Sequence, residues 1–201
     1  DGGGDTGFAK NELMFKGRAV LFRSAAAQHT LELKIGYADE ISNETYLGLT
    51  RADFDKTPYR RYAASANDQM NLHRESVELA YNLQLGERFS ARLVAYRHNL
   101  RRVWERANNF GGVAFNNVLA HPDAGQNRVY YDVLRGAENA MGGDDSIILA
   151  TNDRAFVSQG VQLSGSYGLL TGWHSQTLRF GARLHNDWIR RRHTEDGYLM
   201  T

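Results

Sequence analysis

The sequence predicts an all-β chain built from about six long antiparallel strands. Three observations carry this. Apolar and polar residues alternate with period two, the alternating stretches outrun ordinary strands, and short connections alternate with long ones.

The elements follow in order. A first strand is expected over 10–23, with imperfect alternation past Ala19. The second, 28–41, contains Leu31-Glu32-Leu33-Lys34-Ile35-Gly36-Tyr37. Successive strand side chains point to opposite faces, so this run separates an aliphatic face from a charged one. The third, 70–85, does the same through Val77-Glu78-Leu79-Ala80-Tyr81-Asn82-Leu83-Gln84-Leu85. In the fourth, 89–105, Leu93 and Val94 are adjacent, which leaves its phase open. The fifth covers 155–169. The sixth, 174–192, contains Leu178-Arg179-Phe180-Gly181-Ala182-Arg183-Leu184-His185.

Tight turns are expected at Ser24–Ala27, Gly86–Arg88 and Leu170–Trp173. Long connections cover 42–69 and 106–154, and another starts after Arg192. In an up-and-down antiparallel sheet every second connection lies at the same end. All turns then fall at one rim and all long loops at the other.

Strand length decides what kind of sheet this is. Globular strands run ~5–6 residues. Fourteen residues at ~3.3 Å each cover about 46 Å. Tilted ~45° they span roughly 33 Å, close to the ~30 Å hydrocarbon core of a bilayer. Together these features predict a fragment of a large antiparallel transmembrane β-barrel, with short periplasmic turns and long extracellular loops. Phe89 and Trp173 near the turns, and Tyr37, Trp104 and Trp188 toward the loops, are placed to form interfacial girdles. The alternative is aromatic packing inside a soluble β-sandwich. On the barrel reading Lys16, Arg18, Glu32, Lys34, Glu78, Arg179, Arg183, His185 and Asp187 line the lumen.

Composition narrows the function. Lysine and arginine number 24 against 23 acidic residues, for a net charge of +1. Nothing in that balance supports a nucleic-acid partner. There is no cysteine, which removes disulfides, thiol nucleophiles and Cys-ligated metals. The longest apolar runs are about four residues, such as Ala19-Val20-Leu21-Phe22, far short of the ~20 a membrane helix needs. The opening Asp1-Gly2-Gly3-Gly4-Asp5 lacks an initiator Met and a signal-peptide core. With the closing Leu199-Met200-Thr201, it leads us to expect an internal piece of a longer protein.

One stretch also carries a family likeness. Leu33 to Glu40, Ser42 to Thr50, Asp53-Phe54, Pro58-Tyr59-Arg60-Arg61-Tyr62-Ala63-Ala64-Ser65 and Asp68-Gln69-Met70 resemble TonB-dependent outer-membrane receptors, nearest the ferric-dicitrate-like branch. Phe156 to Gln162, Arg183-Leu184-His185 and His193 to Tyr198 fit the same branch. The likeness runs from about residue 8 to the end, and Glu44–Ser65 carries most of it. It implies a barrel of about 22 strands with a plugged lumen. It further implies uptake of a ferric siderophore or ferric citrate, driven by the TonB–ExbB–ExbD complex acting on the plug. In related receptors the cargo is sometimes cobalamin, another metal or a glycan. Residues 1–201 then form one partial β-barrel domain, with the plug and remaining strands outside it. Lipid and lipopolysaccharide become its surroundings. No resident cofactor is implied, and iron enters only within the transported chelate.

The candidate binding residues are Tyr59, Arg60, Arg61 and Tyr62, in the first long loop. Guanidinium forks match the carboxylates of an anionic chelate, and tyrosines add rigid contact area. The bland reading is a loop that pairs with lipopolysaccharide phosphates or with neighbouring acidic residues such as Asp53 and Asp55. Arg190-Arg191-Arg192 reads as a solvated rim facing lipopolysaccharide. Seven scattered histidines show no metal-ligand spacing. Asp123, Asp144, Asp145 and Asp153 lack a calcium-loop pattern. The glycine run 2–4 has no following Gly-Lys-Ser/Thr, and no nucleophile elbow or triad is visible, so no catalysis is expected. A passive porin-like channel and a soluble β-sandwich binding module remain as alternatives.

Overall fold

The computed structural model describes residues 4–201. The chain is a single antiparallel sheet carrying a small helical cap at one end. Its strands are β1 (Phe8–Arg23), β2 (Ala27–Ser42), β3 (Gln69–Leu85), β4 (Phe89–Phe110), β5 (Val113–Ala114), β6 (Ile147–Thr171) and β7 (His174–Tyr198). The order is β1-β2-β3-β4-β6-β7, with the short β5 paired to the end of β4. The sheet does not close on itself. Among the described residues, β1 and β7 each have one unpaired edge.

The six expected strands are present, and three of them run longer. β4 continues to Phe110, β6 begins at Ile147 and β7 reaches Tyr198. Beyond His193 β7 is hydrophilic on both faces, and beyond Asn152 β6 is the unbroken apolar run Ile147-Ile148-Leu149-Ala150, so neither end alternates while backbone pairing continues through Ile147↔Tyr198. All three tight turns lie at one end. In the two-residue turn between Thr171 and His174, Gly172 has φ +58°, the first-position requirement of a type II′ hairpin.

The long connections are not purely loop. The first holds helix α1 (Arg51–Lys56), and the second holds α2 (Phe115–Ala120) and α3 (Asn127–Leu134). Thr50 starts α1: its Oγ1 accepts from the Asp53 backbone N–H at 3.2 Å. In α3, Tyr130, Val133 and Leu134 are buried at i, i+3, i+4 spacing, the apolar stripe of a packed helix. They meet Phe110, Phe115, Val118 and Ile147 in the one hydrophobic core among the described residues. Gly136 follows α3 with φ +72°, and a Cβ there would lie 2.8 Å from the Ala63 Cβ. The two long connections therefore pack directly on each other.

The rest of the sheet has no second layer. Paired residues share a face, so register assigns every side chain. One face begins at the turn end with the row Ala27-Leu85-Phe89-Tyr167-Leu178. It continues through Leu31-Tyr81-Leu93-Leu163-Ala182 to Leu33-Leu79-Ala95-Val161-Leu184. Most of these larger side chains are open, with Leu184 at 79% and Leu178 at 58% exposure. Leu93 belongs to this face and Val94 to the other, which settles the phase of β4.

The upper edge of the apolar region steps down diagonally from β2 to β4 and then runs level to β7. It ends at Tyr37 on β2, before Asp39, and at Val77 on β3, before Glu75. On β4, β6 and β7 it ends at Ala95, Val161 and Leu184, before Arg97, Gln159 and Asn186. Phe89 and Tyr37 lie on this face as expected of girdle residues, and so does Trp188. Trp104 does not. It points to the polar face, in the row Ser42-Met70-Trp104-Asn152-His193, and stacks on Tyr46 at 4.4 Å between ring centroids. The parity of β4 that Leu93-Val94 obscured is what misassigned it.

Candidate functional site: the polar face and its cap

The residues expected to line a lumen share one face. Lys16, Lys34, Glu78, Tyr96, Gly160 and His185 form a single cross-strand row. Arg183 lies in the adjacent row with Arg18, Glu32 and Gln162, and Arg179 lies nearer the turns with Ser90 and Ser166.

Two networks organise this face. Arg92 reaches Glu32 at 2.9 Å, Asn82 at 2.6 Å and Glu78 at 3.8 Å, and Arg18 approaches Glu32 at 3.8 Å. Arg18, Glu32, Asn82 and Arg92 border a hollow of about 510 Å³ that Arg179 also lines. In the second network the Tyr96 hydroxyl accepts from Arg183 at 2.7 Å and meets His185 Nδ1 at 2.6 Å. His185 Nε2 pairs with Asp187 at 2.7 Å. Tyr96 lies across Gly160, where a Cβ would come within 2.8 Å of its hydroxyl and 2.4 Å of the Leu184 carbonyl oxygen. Arg92 and Tyr96 escaped the sequence reading because β4 had no clear phase.

At the cap, the Tyr59–Tyr62 run splits. Tyr59 is 94% exposed. Arg60 donates to Asp53 at 2.7 Å. Arg61 is buried and donates to the carbonyl oxygens of Asp5 and Asn43, both at 2.8 Å, and to that of Ser65. Tyr62 is 1% exposed; its hydroxyl accepts from the Thr50 N–H at 3.0 Å and donates to Asp53 at 2.6 Å. Three of the four residues thus serve the loop's own structure, and Tyr59 alone of them stands in the open.

Asp53, which the sequence offered as a partner for the loop's own arginines, is the hub of the whole cap, a role that sequence reasoning missed. It accepts from Tyr62, Thr50 and Arg60 within the first long connection and from Tyr131 on α3 in the second. Burial alone would raise its carboxyl. Bonds from Tyr131 and Tyr62, the Arg60 charge and a bond from Thr50 outweigh that and hold it below the ordinary carboxylate range. The same burial and the same carboxylate push both tyrosine hydroxyls up. Asp68, nearby, is shifted the opposite way. Burial raises it, against bonds from Thr45 and the Ala107 N–H and the charges of Arg61 and Arg106.

Among the described residues no group of three or more His, Asp or Glu side chains is gathered to hold a metal. Asp145 accepts from the Met141 N–H at 2.7 Å, and Asp153 pairs with Arg101 at 3.0 Å, so those two carboxylates are committed separately. No helix is long and apolar enough to cross a membrane, a fact that does not bear on strands. Of the glycine run 2–4, only Gly4 lies within the described residues. No protein-family model matches the chain, and no curated protein matches it significantly.

Proposed function

We propose that this chain is part of the wall of an outer-membrane β-barrel, within a TonB-dependent receptor that imports a ferric chelate. The observation that carries the barrel reading is the diagonal apolar edge. Between β2 and β7, four strand spacings or roughly 19 Å, the edge descends four residues, roughly 13 Å, all of it between β2 and β4, and it runs level over β4, β6 and β7. A level membrane boundary drawn across tilted strands produces this offset. Averaged over the four spacings, the ratio corresponds to a tilt of roughly 35°, within the usual barrel range of ~35–45°. From Ala27 to Tyr37 on β2 the apolar stretch rises roughly 33 Å along the strand, or about 27 Å at that tilt. That is close to the ~25 Å band of such barrels.

Two further features support the reading. In water, an exposed apolar face this large is a liability unless another layer covers it, and a β-sandwich would supply one. The open edges at β1 and β7 require further strands, because lipid does not tolerate unpaired backbone. The receptor assignment within the barrel class rests on the likeness of Glu44–Ser65 and the later strands to TonB-dependent receptors. Function in this reading is transport: the cap receives the chelate, the polar rows line its route, and TonB supplies energy through a plug.

Radio-iron uptake by cells carrying the full-length protein, with ferric citrate or siderophores and with or without TonB, tests this. Uptake that needs TonB is expected. TonB-independent flux together with open-channel conductance in planar bilayers would replace the receptor with a passive porin.

A further inference from the structure

The polar face carries a feature that neither network uses. Arg102, Arg154 and Arg191 are direct cross-strand neighbours on β4, β6 and β7. Like charges placed opposite one another on a sheet are destabilising. No ion pair relieves them among the described residues. Arg154 reaches only the neutral Asn152, at 2.9 Å, and the Arg102 Nε is buried without a hydrogen-bond partner. Two acidic groups on the same face are engaged elsewhere, Asp187 with His185 and Glu195 with His193 at 3.2 Å, and Glu40 lies in the arginine row but two strands from Arg102, beyond Leu72.

The row continues upward into an aromatic stack. The Arg102 and Arg106 guanidinium carbons lie 5.6 and 5.5 Å from the Trp104 ring centre, and Arg106 also sits 4.9 Å from that of Tyr46. The Trp104 indole N–H is buried and unpartnered. Four cations and one unpartnered indole donor therefore converge on a single surface; of these only Arg106 has a carboxylate's charge nearby, that of Asp68, and none of the four makes an ion pair among the described residues.

We infer that this crescent, Arg102, Arg154 and Arg191 with Arg106 and Trp104, is a binding site for a compact multivalent oxyanion. Adjacent strands are ~4.8 Å apart, so the three guanidinium roots span roughly 10 Å. That width suits a molecule bearing several carboxylate or phosphate groups, and guanidinium forks grip both bidentately. A single carboxylate would neutralise too little of the row. The inference deepens the receptor reading by naming the charge class of ligand at the polar face, and it relies on that reading only for the ligand's route of arrival.

Calorimetric titration of the full-length protein in detergent tests it, with tricarballylate and tripolyphosphate as probes and acetate as the monovalent control. At least one multivalent probe should bind, acetate should not compete at equal concentration, and affinity should fall steeply with salt. Arg102→Gln and Arg191→Gln should each weaken binding tenfold or more. Arg190→Gln, whose side chain lies on the opposite face, should change it less than twofold. Arg154→Gln separates binding from folding: it should weaken binding while leaving the unliganded protein at least as heat-resistant, because it relieves repulsion. Absence of binding by both probes overturns the site. So does equal loss in Arg190→Gln, or a fall in unliganded stability that tracks the loss of binding. Lost anion binding with TonB-dependent uptake intact refutes the site alone. Intact binding without TonB dependence refutes the receptor reading alone.

Discussion

Replacing Asp53 by Ala should release both long connections at once. The carboxylate accepts from Tyr62, Thr50 and Arg60 on one connection and from Tyr131 on the other. Breaking a fully buried charged pair costs about 3–5 kcal/mol. Arg60 and Asp53 are 17% and 13% exposed, so water recovers part of that. Tyr62, at 1% exposure, has no such recourse for its hydroxyl. A local cost of about 2–4 kcal/mol follows, equivalent to roughly 30- to 1000-fold more frequent opening of the cap. Hydrogen–deuterium exchange on the full-length protein in detergent reads this directly. Peptides covering 42–68 and 127–135 should lose protection together, while peptides from the middle of β3 keep theirs. Asp53→Asn, which keeps one acceptor oxygen, should show a smaller effect in the same two regions. A change below threefold, or one confined to a single connection, would refute Asp53 as the link between them.

Other substitutions probe separate parts of the argument. Gly160→Ala pushes a methyl against the Leu184 carbonyl and the Tyr96 hydroxyl, at about 1–3 kcal/mol for overpacking; an unchanged urea midpoint in detergent would contradict the β6–β7 register. Arg61→Lys replaces a fork that holds three backbone carbonyls with a point charge; a loss of about 2 kcal/mol should appear as protease sensitivity around Asn43, and wild-type resistance would count against it. The pH response of the cap should have two limbs. The Asp53 contribution is present above its unfolded value of ~3.9 and lost as pH falls through its lowered folded value. The Asp68 contribution is full below ~3.9 and lost as pH rises through its raised folded value. Cap protection corrected for intrinsic exchange should therefore improve on mild acidification and collapse on stronger acidification. Asp68→Asn should remove the first limb and Asp53→Asn the second.

How far the sequence could be read depended on where each strand lies. Along β2, β3 and the middle of β7, one side chain in two is apolar, and the period-two pattern located the strands and put Lys34, Glu78, Arg183 and His185 on one face. In β4 the Leu93-Val94 pair broke the pattern, and with it went Arg92, Tyr96 and the true side of Trp104. The far end of β7 is hydrophilic on both faces and that of β6, Ile147-Ile148-Leu149-Ala150, is apolar on both, so neither carried an alternating pattern. At the cap, Thr50 and Asp53 stand at the spacing of a capping box, a local signal for α1 that was legible. That Asp53 also meets Tyr131 is a contact across the fold, which no local pattern encodes. Arg60 and Arg61 looked like binding residues because their chemistry suits carboxylates; Arg60 answers a carboxylate within its own loop, and Arg61 answers carbonyl oxygens.

The unequal lengths of the strands give the proposed barrel a lopsided rim. On β2 the backbone ends at Ser42, five residues past the last apolar position, Tyr37. On β7 it runs fourteen residues past Leu184, to Tyr198. At ~3.3 Å per residue and the same tilt of ~35°, these are heights of roughly 14 Å and 38 Å above the lipid. The tall side acts as a backstop and the short side as a sill. A solute drifting down through the surface sugars would be turned back by β6 and β7 and would enter over β1 and β2. Its first view of the interior would take in the arginine row, two to four strands along the same wall from β2.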